Sequence, residues 1–306
     1  MKLKTTYFLT AAILILPFCG LAQAVFSFGS EQSQTKLLNA VPIAGKVFYN
    51  FSNIPDTTRP DSLTQEVFEL DFAKNASMFI SYSSKLRDSA MKKAFEEAEK
   101  NAAIDANGQR QLHLTTPFSV ADNQTFSRDQ FYTDTKNSCK NTHIMNIITS
   151  VFLIEDTASK TDWHIEDSTK EIQGNLCQKA IGKSHGRTYS VWFCSDIAYS
   201  FGPRRLNGLP GLILEAHDEK HEVNYTFDHI ETVTGSGEVI GLPETGIKTT
   251  PKEFTKVQEA FEKNPEAFFP SQPSQAQGKT IHIQVVKSIA PKGFKKPVNN
   301  NPIDLK

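Results

Sequence analysis

The stretch FGPRRLNGLPGLILE, residues 201–215, places three glycines and two prolines directly before an apolar run. Glycine permits positive φ and proline fixes φ near about −65°, so this loop is stiff and enters the next strand at one defined angle. In one interpretation the loop presents a preorganised surface to a ligand or partner, with Arg204, Arg205 and Asn207 facing outward. In the other it is a tight β-arch whose leucines drop into the core; these are Leu209, Leu212 and Leu214.

Strand signals dominate the rest of the chain, as short apolar runs that alternate with polar residues. Two pairs of runs flank the sequences GKSHG (residues 182–186) and HDEK (residues 217–220), which predicts two hairpins. The predicted strands are Gly45–Phe51, Glu66–Phe72, Ser77–Ser83, Asn146–Ile154, Thr161–Ile165, Lys170–Ile181, Arg187–Cys194, Leu212–Ala216, Glu222–Thr232 and Thr280–Ser288.

Two segments carry helix signals instead. Leu86–Ile104 is rich in Ala, Lys and Glu and has few apolar positions, which predicts a surface helix or a flexible insert. Pro251–Ala267 begins with proline in its first turn and places Phe254, Val257 and Phe261 on one face. The expected fold is mainly β, and α+β at the margin: a single curved antiparallel sheet or half-barrel with one or two packed helices.

The N-terminus, residues 1–24, has the pattern of a cleaved secretory signal peptide. Lys2 and Lys4 precede an apolar stretch, Tyr7–Leu21, and the Ala-Gln-Ala of residues 22–24 matches a small-residue cleavage site. We therefore expect an exported protein, periplasmic or at the cell surface, with no transmembrane segment in the mature chain.

The remainder is expected to form one β-rich domain over residues 25–290. The tail of residues 291–306 is basic and then rich in Asn and Pro, and is expected to be loose. The chain has 33 basic and 34 acidic residues, a formal net charge of −1, with both signs interspersed. This charge pattern argues against a nucleic-acid partner.

Two runs, DWHIEDSTKEIQGNLCQKA (residues 162–180) and GRTYSVWFCSDIAYSFGPRRLNGLPGLILEA (residues 186–216), carry an ordered frame of residues. Together they resemble the GLPGLI family of exported Bacteroidetes proteins, named for the hexapeptide found here at residues 208–213, and the closing NPIDL, residues 301–305, is similar to the family's ending. The resemblance implies a cell-envelope protein with an outer-membrane receptor as a partner, and it assigns no activity. Cys194 departs from the family's pattern. The frame residues are Trp163, Ile172, Gly174, Cys177, Lys179, Ala180, Trp192, Gly202 and Pro203.

Three cysteines follow the predicted cleavage site: Cys139, Cys177 and Cys194. In an oxidising compartment two of them are expected to pair, and the odd count leaves one over. A symmetric turn at residues 183–184 would set Cys177 opposite Ser190, so a bridge to Cys194 would need a bulge or another register. Bridges from Cys139 to either partner stay open.

His217 and His221 lie at the predicted HDEK turn, where a hairpin would bring both imidazoles to one end of the ribbon. With a carboxylate they would form a zinc or copper site. A periplasmic hydrolase or metal-dependent enzyme using the His217/His221 region is therefore the alternative function. A polar HDEK turn is equally typical of a solvated hairpin tip, and we assign no catalytic residue, metal or cofactor.

The expected function is that of a non-enzymatic binding or accessory protein for a small apolar ligand, a peptide or an outer-membrane receptor; a purely structural envelope protein is a third class. A half-barrel can leave a concave apolar groove, and we expect the loop to form one rim of it. Trp163 and Trp192, with Tyr189 and Phe193, would line this groove or pack in the core. The binding candidates are Trp192, Gly202, Pro203, Arg204, Asn207, Gly208, Leu209, Pro210 and Gly211.

Overall fold

A computed structural model describes residues 36–101, 103–104, 110–111, 127–136, 139–148, 150–156, 161–233, 235–268 and 299–304. The predicted signal peptide and the predicted strand Thr280–Ser288 lie outside these residues. Within the described ranges, no helix combines the length and apolar character that crossing a membrane requires.

Sixteen strands and two α-helices occupy the described residues, which confirms a mainly β fold. The strands are β1 Leu37–Pro42, β2 Gly45–Asn53, β3 Thr64–Phe72, β4 Ala76–Ser81, β5 Ala103–Ile104, β6 Arg110–Gln111, β7 Gln130–Asp134, β8 Lys140–Ile147, β9 Ser150–Glu155, β10 Trp163–Ile172, β11 Asn175–Ser184, β12 Arg187–Cys194, β13 Leu212–Asp218, β14 Val223–Thr232, β15 Val239–Pro243 and β16 Ile247–Thr249. The helices are α1 Tyr82–Lys100 and α2 Pro251–Lys263, with short 3-10 turns at Pro60–Ser62 and Pro265–Phe268.

Twelve strands form one open sheet in the order β10-β11-β12-β13-β14-β2-β3-β4-β7-β8-β9-β16. Its pairs are antiparallel except for β16 with β9, which is parallel. The sheet does not close into a barrel, so β10 and β16 are its edges. Strands β1 and β15 form a separate antiparallel pair, as do β5 and β6.

The main core lies on the face of the sheet where alternate residues of the central strands are apolar, as the period of two requires. On β2 these residues include Val47 and Tyr49, both fully buried, and on β3 they include Leu70. The Tyr49 hydroxyl donates to the Ile213 carbonyl at 2.6 Å. This hydrogen bond joins β2, in the middle of the sheet, to β13, the strand that begins within the GLPGLI sequence.

Two predicted strands are hairpins instead. Asn146–Ile154 is interrupted at Ile148, and Lys170–Ile181 is interrupted at Gln173 and Gly174. All three turn residues have positive φ. Ile and Gln are uncommon in that conformation, and apolar residues continue on both sides, so periodicity alone did not reveal either turn.

The helices agree with expectation apart from their bounds. Strand β4 ends at Ser81, whose hydroxyl accepts the Ser84 N–H at 2.8 Å and begins α1 earlier than predicted. Helix α2 begins with a capping box at Thr250. Its buried face includes Phe254, which packs on Phe152 of β9 with ring centroids 5.4 Å apart.

A buried carboxyl pair, Glu69 and Asp71, lies on the β3 face beneath α1. Lys46 Nζ is 3.2 Å from Glu69 Oε1 and 3.9 Å from Asp71 Oδ1, while Lys85 of α1 is 2.9 Å from Glu69 Oε1. Glu238 completes the group at 2.6 Å from Lys46 Nζ. Burial, the hydrogen bond to Glu69 and its charge raise the pKa of Asp71 to about 7, against the opposing pull of the two lysines.

This raised pKa gives stability a defined pH dependence. Between the unfolded pKa of Asp71 and about 7 the folded chain holds one more proton than the unfolded chain, so the contribution of Asp71 is full at low pH and lost as pH rises to about 7. We expect the Tm of Asp71→Asn, relative to the unaltered protein, to rise by about 5–10 °C between pH 5 and pH 8. Calorimetry at both pH values checks this, with the exposed Asp61→Asn as control; a flat difference for both variants would contradict it.

Candidate functional site

The loop of residues 195–211 connects β12 to β13 and is held by its own backbone. Phe201 and Asn207 form an antiparallel bridge, and the Gly208 N–H donates to the Ser200 carbonyl at 3.1 Å. The Ile213 N–H then donates to the Phe201 carbonyl at 2.9 Å, which fastens the loop to the start of β13. These backbone hydrogen bonds define the conformation of the loop and its position relative to β13.

The leucines of the loop point into the core. Leu209 is 2% exposed, and Leu212 and Leu214 are fully buried. The β-arch interpretation is confirmed for these three residues. The loop therefore has little exposed surface: among the predicted binding residues, only Gly208 and Pro210 are exposed. The remaining loop candidates are buried or, for Arg204, half-buried: Gly202, Pro203, Asn207 and Gly211.

Arg204 and Arg205 bind other parts of the chain rather than facing outward. Arg204 Nη2 is 2.8 Å from Asp304 Oδ2, and Arg205 Nη1 bonds the same carboxylate. Both guanidinium groups also lie over the Phe131 ring, with Cζ 4.3 and 4.5 Å from its centroid. Asp304 belongs to residues 299–304, which are packed against the sheet although the tail from residue 291 is expected to be loose.

The two acidic partners of Arg204, Asp304 and Asp129, both have a lowered pKa. Burial alone would raise the pKa of Asp304, but the charges of Arg204 and Arg205 outweigh it and hold that pKa well below its usual value. Asp129 is a similar case, with its Oδ1 3.1 Å from His143 Nε2. Burial would raise the pKa of Asp129, but the hydrogen bond to His143 and the charges of His143 and Arg204 outweigh it and lower the pKa to about 2. These carboxylates stay ionised, so the loop is fixed by charge-assisted hydrogen bonds.

Ser184, His185 and Asp156 form a hydrogen-bonded relay next to the arginines. Ser184 Oγ is 2.9 Å from His185 Nδ1, and His185 Nε2 is 2.7 Å from Asp156 Oδ2. The order matches a nucleophile, a base and an orienting acid. However, Ser184 is buried and the adjoining cavity, also lined by Arg204, measures about 10 Å³, which is room for one water molecule. We therefore assign the relay a bracing role at the β11–β12 turn.

An open cleft of about 330 Å³ lies between the start of β10 and the tip of the loop. Trp163 Nε1 donates to the Asn207 carbonyl at 2.8 Å and so ties the two walls together. Gly182 of β11 pairs with Trp163 of β10, and a Cβ on residue 182 would lie 2.5 Å from the indole ring. The glycine thus leaves room for the ring. The cleft is lined by Thr161, Asp162, Trp163, Ile165, Gly208, Leu209 and Pro210.

The lining of this cleft is mixed. Trp163, Ile165 and Pro210 supply apolar side chains, while Thr161 and Asp162 supply polar ones, and polar atoms make up the larger share of the surface. Its volume lies at the lower end of small-molecule pockets, which hold about 300–1,000 Å³. Among the described residues β10 is an edge strand, so none of the described strands covers this wall.

Trp192 lies away from the cleft, so the structure does not bring it together with the loop tip. It pairs with Lys179 of β11 and Glu215 of β13, and Lys170 Nζ lies 5.5 Å from its ring. Of the other predicted aromatics, Tyr189 and Phe193 are buried in the core, whereas Trp163 lines the cleft.

His217 and His221 do meet at the β13–β14 tip, but as a stack. Their ring centroids are 4.0 Å apart with planes 19° from parallel. Nitrogen lone pairs lie in the ring plane, so stacked imidazoles do not aim at one point between them as metal ligands must. Across the described ranges no group of three or more His, Cys, Asp or Glu side chains could hold a metal ion.

Comparison with known proteins finds structural similarity only at low sequence identity. No protein-family model matches the chain, and no curated protein matches it. Two solved structures of PNGF-II are similar. The form in space group P21 has a TM-score of 0.45 at 13% identity and covers 70% of this chain; the C2 form has 0.44 at 12% over 70%. The chain spans about one third of each, 33% and 32% of their length.

Sequence reasoning missed Ile165 and Asp304 as parts of this region. Ile165 carried a weak signal: it is an apolar residue in a polar strand and is 42% exposed. Asp304 lies in the NPIDL ending, which the sequence marked only by its resemblance to the family's ending. Its arginine partners are about a hundred residues earlier in the chain, and nothing in the ending pointed to them.

Proposed function

We propose that this protein is an exported, non-enzymatic binding protein of the cell envelope, and that the cleft between β10 and the loop tip holds a small apolar ligand. The observation that carries the proposal is the cleft itself, where the apolar side chains of Trp163, Ile165 and Pro210 lie beside a braced loop. Export is supported by the signal-peptide pattern and by the resemblance to the exported GLPGLI proteins. An apolar side chain from a peptide or an outer-membrane receptor is the alternative occupant.

Rigidity of the walls supports a binding role. The Arg204–Asp304 pair and the Trp163–Asn207 hydrogen bond hold the loop and β10 in place before any ligand arrives. A preorganised site loses less conformational entropy on binding than a mobile one. The cleft therefore resembles a preformed site more than a surface that orders around its partner.

The cleft is tested with the neutral apolar dye N-phenyl-1-naphthylamine. Ile165→Asp introduces a charge into the apolar wall, and we expect the dye's Kd to rise about tenfold, the factor that 1.4 kcal/mol produces. Fluorescence titration of the purified protein measures it. Native mass spectrometry of both proteins would show whether a co-purifying ligand is lost together with dye binding.

Leu176→Asp is the matched control, since Leu176 is 62% exposed on the neighbouring strand β11 and does not line the cleft. Its Kd should change less than twofold, a difference below about 0.5 kcal/mol. Equal Kd values for the unaltered protein and Ile165→Asp would rule out the cleft as the dye site. Equal losses in both variants would indicate general surface adsorption and would also contradict the proposal.

A further inference from the structure

Cys177 and Cys194 face each other across the β11–β12 hairpin. The turn is formed by residues 185–186, and the ladder pairs Gln178 with Phe193 at its far end. One residue further, the same register sets Cys177 opposite Cys194. The expectation that Cys177 lies opposite Ser190 is therefore wrong, because the turn lies two residues later than residues 183–184.

The type of pair also suits a bridge. In a two-residue hairpin the pair next to the turn, here Ser184 with Arg187, is hydrogen-bonded, and pairs then alternate outward. Counting along the ladder, Cys177 and Cys194 fall on a non-hydrogen-bonded pair. Such pairs have Cα atoms about 4.5 Å apart with both side chains on one face, and disulfides span about 4.4–6.8 Å between Cα atoms.

Their surroundings favour a bond made during folding. Both side chains are fully buried, and the Cys194 thiol lies near enough to affect the pKa of Cys177. Burial, followed by the neighbouring Cys194, raises the pKa of Cys177 to about 12, so the thiolate is scarce once the chain has folded. Cys139 lies elsewhere, with Sγ 3.1 Å from Asn207 Oδ1.

We propose that Cys177 and Cys194 form a disulfide when the chain folds in an oxidising compartment, and that Cys139 is not part of it. The cellular side of this inference rests on the export that the proposed function includes. The oxidant is a disulfide, either glutathione disulfide or a protein dithiol oxidase. All three cysteines are in the thiol form in this structure.

The chemistry balances as two exchanges. The Cys177 thiolate attacks one sulfur of glutathione disulfide, forming a mixed disulfide and releasing one glutathione thiolate. The Cys194 thiolate then attacks the Cys177 sulfur and releases the second glutathione. Two protons leave the cysteines, and two electrons reduce the oxidant.

Refolding tests the pairing independently of export. Cys19, in the predicted signal peptide, is first replaced by serine so that only the three cysteines in question remain. This full chain is reduced, unfolded, refolded with glutathione disulfide, quenched in acid and alkylated with iodoacetamide. We expect a loss of two hydrogen atoms in mass, a crosslinked peptide containing Cys177 and Cys194, and alkylation at Cys139. Adding Cys194→Ser should leave Cys177 alkylated, whereas adding Cys139→Ser should leave the bridge intact. Alkylation of all three cysteines, or a bridge to Cys139, overturns the proposal.

Reduction gives a second readout. The bridge closes a short loop around the hairpin, and we expect a reductant to lower the Tm of the oxidised protein by about 5–10 °C. The Tm of Cys194→Ser should not respond to the reductant, and an equal response in both proteins would overturn the assignment. The unaltered chain, expressed with its N-terminus, tests export separately. Retention of residues 1–24 with all four cysteines reduced would contradict export, while the refolding result still decides the pairing.

Discussion

Replacing Arg187 by methionine is expected to lower the free energy of unfolding by about 3–5 kcal/mol. The guanidinium is buried, with Nη1 2.6 Å from Asp218 Oδ2. It also donates from Nε to the Ile303 carbonyl at 2.9 Å and from Nη2 to the Pro302 carbonyl at 2.7 Å. Methionine fills a similar volume but leaves the buried Asp218 carboxylate without its positive partner and two carbonyls without their donor, and that loss of partners dominates the cost.

Urea unfolding measures this effect, with Lys183→Met as the control because Lys183 is exposed on the same hairpin. The control should change the unfolding free energy by less than about 0.5 kcal/mol. The double variant Arg187→Met/Asp218→Asn should be more stable than Arg187→Met, since it removes the uncompensated charge while keeping an acceptor for the Glu222 and Val223 N–H groups. A double variant no more stable than the single one would show that the ion pair is not the cause.

Arg187 also shows where sequence reasoning ends. Its strand was predicted with the observed bounds, Arg187–Cys194, because alternation is a local signal. Its partners were not, since Asp218 lies on the next strand and residues 301–303 more than a hundred positions later. Long-range pairs of this kind depend on how the sheet folds back, and no spacing in the sequence reports it.

The hairpin turns show a second limit. A shift of two residues in the turn moved the partner of Cys177 from Ser190 to Cys194 and changed the inference about a disulfide altogether. His185 has positive φ, a conformation in which His is several-fold enriched although still uncommon, and Gly186 follows it with positive φ. His-Gly is a weaker cue than Asn-Gly for a two-residue turn, so the lysine and serine before it were an equally reasonable choice from sequence.

For the GLPGLI loop, the burial of its leucines could be predicted from the sequence, but the partners of its arginines could not. Apolar residues at 209, 212 and 214 indicated burial, and the structure agrees. Outward-facing arginines were a sound expectation as well, because most arginines are exposed. Here Arg204 and Arg205 meet Asp304 and Phe131 instead. Of the predicted binding residues in the loop, only Gly208 and Pro210 are exposed.

Replacing Gly211 by alanine is expected to lower the free energy of unfolding by about 3 kcal/mol or more. A Cβ at this position would lie 2.2 Å from the Cys194 carbonyl oxygen and 2.6 Å from its carbon. Both are backbone atoms at the end of β12, so no side-chain rotation can relieve the contact. The strand end or the loop must move, and the adjacent bonds of the core strands must yield with it.

Gly174→Ala is the control that distinguishes the cost of a steric contact from the cost of a left-handed backbone conformation. Gly174 has a φ of +82° and nothing within 4 Å of its added Cβ, so the same substitution there costs only the left-handed conformation, about 1 kcal/mol. If Gly211→Ala proved no more costly than Gly174→Ala in urea unfolding, the contact with Cys194 would not be the reason for glycine at 211.

The same variant links the fold to the proposed site. Gly211 follows Leu209 and Pro210, which form one wall of the cleft, so a loop displaced from Cys194 carries that wall with it. We expect any folded fraction of Gly211→Ala to bind N-phenyl-1-naphthylamine at least about tenfold more weakly, while Gly174→Ala binds as the unaltered protein does. Unchanged dye affinity in folded Gly211→Ala would mean that the loop tip is not a wall of the binding site. The glycine before Leu212 would then serve only the packing of the strand end against its neighbour.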